Sequence, residues 1–329
     1  MQNKANRNEF DRIARYFAPL AASFPGAFGL KDDAAVISPS AGAEFVVTTD
    51  TIVAGVHYIG DEPPALIAAK LLRVNLSDLA AMGARPRAFT LNIALPKAID
   101  DAWLEAFAAG LGADQEKLGI TLIGGDSVST PGPAVFTLTA FGEVEQGKAV
   151  RRAGARPGDL IFVSGSIGDG AFGLRVLQEQ IEGLSESDSA FLIDRYRLPQ
   201  PRLDLGRNLP DLAHAAADVS DGLAADLGHI ALASGVRAKI QAAKVPLSAA
   251  ARNAIASRSA LLETALTGGD DYELVFCAPA ANAPAIEALS RETGLPITQI
   301  GEIEAGDGVS VLDQDGASII LSRPGFSHE

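Results

Sequence analysis

Glu44-Phe45-Val46-Val47-Thr48-Thr49-Asp50-Thr51 reads as a buried strand that delivers an acid. Phe45, Val46, Val47 and Thr48 are aromatic or β-branched, which suits a pleated, half-buried surface. The pattern predicts a strand over 44–49 that ends at Asp50. In α/β sheets ligands collect at the carboxyl ends of strands. The device recurs: Asp33, Asp126, Asp218 and Asp221 also stand beside Gly, Ser or apolar runs, at loop-like positions.

The strongest helix signal follows, over 64–82. Pro64 suits a first turn and Gly83 the position past a C-terminus. The apolar residues between them leave little polar face, so the helix is expected to be buried. Yet it carries Asn75 and Asp78, three apart and on one side. A charge there needs a counter-charge or a metal. The alternatives are an ion pair with Lys70 or Arg73 and a metal or substrate contact.

Outward from this pair, the spacing predicts a helix over 8–20, a loop at 28–33 feeding a strand near Val36-Ile37, and a strand over 88–95. A helix over 100–118 comes next, with acids at its start where the macrodipole favours them. A short strand over 120–123 ends in Gly124-Gly125-Asp126-Ser127, and another runs over 133–144. Strands and helices do not alternate strictly, which points to a mixed sheet with helices on one face rather than a doubly wound fold. The polar, turn-rich stretch at 151–159 marks a boundary, giving domains 1–148 and 149–329. Beyond it lie a strand over 160–164, helices over 171–180, 187–196, 202–216 and 224–233, and strands over 236–240, 274–278, 297–303 and 309–321. Gly165-Ser166-Ile167-Gly168-Asp169-Gly170 is either a phosphate loop or a tight turn. No G-x-x-x-x-G-K-[ST] occurs, which excludes an ordinary P-loop.

The chain has 329 residues, enough for two domains, and 47% of them are hydrophobic, enough for a large core. Its formal charge is −14, which argues against nucleic acid and anionic membrane as partners. The single Cys277 sits in an apolar run, which reads as a buried thiol. With no apolar signal at 1–7 and no membrane-length run, the expected compartment is the cytoplasm. The four His residues, His57, His214, His229 and His328, are scattered, against a zinc hydrolase. The acids suit phosphoryl transfer instead, which needs positioning and charge neutralisation. Magnesium takes carboxylate oxygen, hydroxyls such as Thr48, Thr49 and Ser220 could assist, and Arg151 or Arg152 could clamp phosphate. A metal-dependent phosphatase or a calcium-binding structural protein fits the same residues.

Several segments together resemble the thiamine-monophosphate kinase family. They are Gly29-Leu30-Lys31-Asp32-Asp33, Thr48-Thr49-Asp50-Thr51, His57, Asn75-Leu76-Ser77-Asp78-Leu79-Ala80-Ala81-Met82-Gly83, Gly124-Gly125-Asp126, Asp218-Val219-Ser220-Asp221-Gly222-Leu223 and Gly268-Gly269-Asp270-Asp271-Tyr272-Glu273-Leu274. That family belongs with aminoimidazole ribonucleotide synthetase, selenophosphate synthetase and a hydrogenase-maturation protein. The resemblance implies a two-domain α/β (α+β mixed sheets) synthetase-like fold. Its N-terminal sheet pairs across a homodimer into a β-barrel, and its C-terminal part is an α/β sandwich with the site in the cleft between. It implies Mg²⁺ ligands at Asp33, Thr48, Thr49, Asp50, Asp78, Asp126, Asp218 and Asp221. It implies ATP contacts at Gly125, Asp126, Arg152 and Ser220, and thiamine monophosphate contacts at His57, Asp270 and Phe326. Catalysis would fall to Asp50, Asp126 and Arg152, in direct in-line transfer of the γ-phosphoryl group to thiamine monophosphate. Lys31, where the family carries Gly, and Asp270, where Glu is common, depart from the pattern. The alternative is another superfamily member, selenophosphate-synthetase-like or hydrogenase-maturation-like. Against it stand the absence of an N-terminal reactive Cys and of a Cys-containing tail.

Overall fold

A computed structural model describes residues 9–323, 325 and 326. The polar start at 1–7 and His328 lie outside the described residues. The chain forms two compact units, one running to Leu79 and resuming over Arg85–Gln146, the other made of Ala80–Ala84 and everything from Gly147. Both are mixed α/β, each built on its own sheet.

The first unit opens with α1 (Glu9–Arg12), a π-turn (Ile13–Phe17) and a 3₁₀ turn (Ala18–Ala21) in place of the single helix expected over 8–20. Pro19 is the reason: it brings no N–H, and its ring clashes with the carbonyl four residues back in a regular helix. The strand expected near Val36-Ile37 does not form. Instead the backbone N–H of Val36 donates to Gly26 O at 2.8 Å, folding 31–36 back on the 3₁₀ segment Pro25–Leu30.

The sheet follows. It comprises β1 (Ala43–Val53), β2 (Arg85–Pro96), β3 (Thr121–Thr130) and β4 (Val135–Glu145), in the order β1-β4-β2-β3. Only β2 and β3 are parallel, so they need a crossover, which α3 (Asp101–Leu118) supplies. Asp100 starts α3 by accepting from the Trp103 N–H at 2.9 Å. The left-handed Gly119 ends it. The long helix α2 (Pro64–Ala81) is buried on nearly all sides from Ile67 to Ala81, as its composition predicts. Two strands outrun the sequence reading. β1 continues through Asp50 to Val53, and β3 continues through Gly124-Gly125-Asp126 to Thr130. Backbone pairing carries both onward, Asp50 opposite Leu138 and Gly125 opposite Leu91. The acids therefore stand within edge strands, not past their ends.

In the second unit the strands are β5 (Asp159–Ser164), β6 (Ala215–Asp218), β7 (Arg237–Gln241), β8 (Leu274–Pro279), β9 (Ile297–Glu304) and β10 (Gly308–Leu312), in the order β10-β7-β9-β5-β8-β6. Only β7 and β10 run parallel. Around them lie α4 (Asp169–Leu177), α5 (Glu186–Arg197), α6 (Leu203–Gly206), α7 (Leu209–Leu212), α8 (Leu223–Ser234), α9 (Ala249–Ser257), α10 (Leu261–Thr267) and α11 (Ala283–Thr293). The single helix expected over 202–216 is a correction. Pro210 leaves two short turns, and Ala215–Asp218 becomes a fully buried strand paired with β8. Its alanines look helical in isolation, but a buried slot beside β8 decides for the strand. Cys277 lies in β8 with no exposure, and burial pushes its thiol pKa up.

Trp103, the only Trp, stacks on Phe136 at 5.9 Å and on Phe107 at 5.4 Å. Phe107 and Phe136 are fully buried and 4.9 Å apart. Phe136→Ala should therefore destabilise the first unit by about 3–5 kcal/mol. Urea unfolding followed by Trp103 fluorescence measures it, and a midpoint unchanged from wild type would refute this packing.

Candidate active site

Strand alternation decides which predicted ligands meet. Thr48 and Asp50 point to the face covered by α2, and Thr49 and Thr51 to the other. The Thr48 hydroxyl donates to Asp78 Oδ2 at 2.6 Å, and the Asp50 N–H donates to Asn75 Oδ1 at 3.1 Å. Asn75 in turn donates to Leu71 O one turn back. Thr49 is not part of this group: its hydroxyl donates to Leu138 O and accepts from Thr139. The ion-pair alternative for Asp78 loses one of its cations, because Arg73 is committed to Asp114 through bonds of 2.5 and 2.9 Å. Burial, with the charge and hydrogen bond of Asp78, raises the Asp50 carboxyl to about 7. The nearby Asp78 charge thus disfavours ionisation of Asp50, whereas a bound cation would favour it. Thr48, Asp50 and Asp78 form an all-oxygen donor set, which fits Mg²⁺.

Asp33 and Asp126 meet elsewhere. With Asp32, Gly124 and Gly125 they line a cavity of about 130 Å³ floored by Leu91, Ile93 and Leu122. Gly125 is required there: at φ +153° it brings its backbone so close to β2 that a Cβ would lie 1.9 Å from Leu91 O. Across the row Asp50, Leu138, Leu91, Gly125, three strand spacings of about 4.8 Å separate β1 from β3, roughly 14 Å. The two acid pairs thus stand at opposite edges of one sheet, not in one cluster within the chain. His57 lies just past β1, where its Nδ1 accepts from the Val53 N–H at 3.1 Å, so the neutral ring carries its proton on Nε2.

In the second unit Asp218 ends β6, and Ser220-Asp221 follow as the loop into α8. That loop is stitched to 268–273. Asp270 N–H donates to Ser220 O, Tyr272 N–H to Val219 O and Val219 N–H to Glu273 O, each at 2.8–2.9 Å. Gly269 is tight against the same loop, a Cβ there falling 2.4 Å from Ser220 O. Asp270 and Tyr272 take left-handed φ of 63° and 51°, uncommon for such residues. The Phe326 N–H donates to Asp221 O at 2.9 Å. Asp226, on α8, is raised to about 7 by burial and by Asp221, with Arg152 opposing. So Arg152, Asp218, Ser220, Asp221, Asp270 and Phe326 belong to one neighbourhood.

The sequence left Gly165–Gly170 open between phosphate loop and turn. The N–H groups of Gly168 and Gly170 donate to Asp271 at 2.7 and 3.0 Å. A carboxylate of the chain itself holds the start of α4, so the loop is internally satisfied. Asp271 is fully buried, which pushes its pKa well up. Beside it Glu273, also fully buried, accepts from Ser164, Arg195 and Arg202. Glu273, Arg195 and Arg202 escaped the sequence reading, because nothing in their local spacing joins residues 71 to 109 positions apart. The one signal was a Glu abutting a buried strand in Asp271-Tyr272-Glu273.

Residues 31–144 match the family model described as AIR synthase related protein, N-terminal domain, and 156–314 match that of its C-terminal domain. A thiamine-monophosphate kinase of Salmonella typhimurium is 42% identical over 322 residues, 97% of this chain and 98% of that one. The crystal structure of thiamine-monophosphate kinase from Stenotrophomonas maltophilia K279a is 44% identical, with a TM-score of 0.81, covering 88% of this chain and 91% of that one. The structure of AaThiL complexed with AMPPCP and TMP is 29% identical, with a TM-score of 0.77, covering 99% of this chain and 100% of that one.

Between pH 4 and 7 the folded protein keeps the Asp50 proton that the unfolded chain has lost, so its stability falls as pH rises through that window. Asp78→Asn removes one source of the shift while keeping an oxygen for Thr48. In metal-free protein it should raise stability by about 1 kcal/mol at pH 8 and by progressively less towards pH 5. Thermal unfolding at the two pH values measures this, and a pH-independent difference would contradict the coupling.

Proposed function

The chain belongs to the AIR synthase related family and, within it, to the thiamine-monophosphate kinases; from that premise we propose that it transfers the γ-phosphoryl group of ATP to thiamine monophosphate. The observation that carries this reading is the joint presence of the acid groups at Asp50/Asp78 and Asp33/Asp126 and of the loop bearing Ser220, Asp221 and Asp270, in a chain similar throughout to a structure holding AMPPCP and TMP. In the reaction an oxygen of the thiamine monophosphate phosphate bonds to the γ-phosphorus while the bond to the β-phosphate oxygen breaks. The products are thiamine diphosphate and ADP, and no phosphoenzyme forms.

The proposed roles follow from the chain's own chemistry. Asp33, Thr48, Thr49, Asp50, Asp78, Asp126, Asp218 and Asp221 are proposed to hold Mg²⁺, which neutralises phosphate oxygens when bound. Thr49 would contribute through its main chain, since its hydroxyl is engaged on the other face. Gly125, whose backbone must approach closely, and Asp126 are assigned to the nucleotide with Arg152 and Ser220. Arg152 supplies a planar fork for phosphate. His57, Asp270 and Phe326 are assigned to thiamine monophosphate. Asp270, shorter than the usual Glu, sits in left-handed backbone, with φ 63°. Residues 1–148 would hold the metal and nucleotide acids and a dimer interface, and 149–329 would complete the nucleotide and substrate groups.

A homodimer is part of the proposal. The sheet of the first unit has β1 and β3 as its two edges, and Val47 and Val128 on them are 55% and 52% exposed. In a barrel closed by a second copy, the roughly 14 Å between the two acid pairs need not be spanned within one chain. A reducing cytoplasm suits a chain whose one Cys is buried and unpaired. No helix among the described residues is long and apolar enough to cross a membrane.

Incubation of the protein with ATP, Mg²⁺ and thiamine monophosphate should yield thiamine diphosphate, and folded protein giving none would sink the proposal. Asp50→Asn should lower kcat by at least about a hundredfold with the fold intact, if the carboxylate is needed for charge neutralisation at the phosphates. A wild-type rate would remove Asp50 from the mechanism. Phe326→Ala should raise KM for thiamine monophosphate more than KM for ATP; equal effects would deny it a substrate contact.

A further inference from the structure

Asp226 has work that neither the fold nor the kinase reading explains. It is fully buried on the first turn of α8. Its Oδ2 accepts from the Asp221 N–H at 3.1 Å, which accounts for one oxygen. Its Oδ1 is buried and accepts no hydrogen bond among the described residues. An orphaned carboxylate oxygen is costly and calls for an unseen partner, such as an ion or a water. Three residues on, the next turn of the same helix presents His229 on the same side. A carboxylate oxygen of Asp221, one of Asp226 and a ring nitrogen of His229 lie within 4.8 Å of one another. Asp221 and His229 also border a cavity of about 1040 Å³, with Arg323 and Phe326 on its rim, so an ion has a way in and room for water ligands.

We propose that Asp221, Asp226 and His229 form a binding site for a first-row divalent transition ion, with water completing its coordination. The sequence resemblance offered Asp221 alone. Asp226 and His229 are added by the turn that folds Asp221 back over the start of α8. An imidazole among the donors sets this site apart from the oxygen-only set around Asp50, because imidazole suits transition ions and Mg²⁺ prefers oxygen. The i, i+3 pair on a rigid helix holds two donors in place before the ion arrives, and Asp221 supplies the third from a loop already bonded to Asp226. The site shares Asp221 with the proposed Mg²⁺ ligands but needs neither ATP nor thiamine monophosphate, so ion binding here is read separately from turnover.

The probe is Mn²⁺ alone, added to metal-stripped full-length protein without nucleotide and in excess Mg²⁺, which saturates oxygen-only sites. Pulsed electron paramagnetic resonance should detect an imidazole ¹⁴N coupled to bound Mn²⁺. In His229→Ala, an exposed position on α8, that coupling should vanish. Mn²⁺ affinity should fall by more than the roughly 10- to 100-fold that loss of an outer-shell partner costs. Asp226→Asn, compared at matched thermal stability, should weaken binding in the same way. Absence of ¹⁴N coupling in the wild type overturns the proposal, as does coupling that survives in His229→Ala. Thiamine diphosphate formation by the same preparation in Mg²⁺ reports on the kinase reading separately.

Discussion

The first unit turns on a repulsion. Asp50 and Asp78 are pressed together where β1 meets α2, with burial and mutual charge holding Asp50 near neutrality. A fold optimised only for stability would place an apolar pair there. Instead the chain ties them in place with hydrogen bonds: the Thr48 hydroxyl donates to Asp78, and the Asp50 main-chain N–H donates to Asn75 Oδ1. A bound positive charge would relieve both the burial and the repulsion, which is why this pair is proposed to hold a cation.

The second unit solves the opposite problem. Glu273 and Asp271 are fully buried acids with hydrogen-bond partners inside the chain, although burial still pushes the Asp271 pKa well up. Glu273 is held by two arginines and a serine, and Asp271 by two backbone N–H groups at the start of α4. Removing Arg195 or Arg202 would leave Glu273 buried with fewer partners, which is costly. The satisfied acids brace the loop at 268–273, which lets Asp270 and Tyr272 sit in left-handed backbone.

Much of the architecture was legible along the chain. Helices over 64–82 and 100–118 show as unbroken apolar periodicity with Pro or Asp at the start and Gly just past the end, and they form within a residue of the expected ends. The misreadings share a cause. Pro19 and Pro210 break helices that composition alone would extend, and Ala215–Asp218, helical by propensity, is captured as a strand by β8. Strands β1 and β3 run past Asp50 and Asp126 because cross-strand pairing continues, and pairing partners 88 and 34 residues away leave no local trace.

The sequence by itself determined the two-part α/β plan, the set of acids and the family they resemble, because motifs and periodicity are local and survive in one dimension. Only the tertiary structure decided which acids act together. It joined Asp50 to Asp78, set Asp33 with Asp126 on the far edge of the sheet, and turned the Thr49 hydroxyl away. It gave the loop before α4 to Asp271 and left Asp226 with an unpaired oxygen beside His229. The reason is physical: charge, burial and hydrogen bonding depend on distances through space, and a period-2 strand sends neighbouring residues to opposite faces.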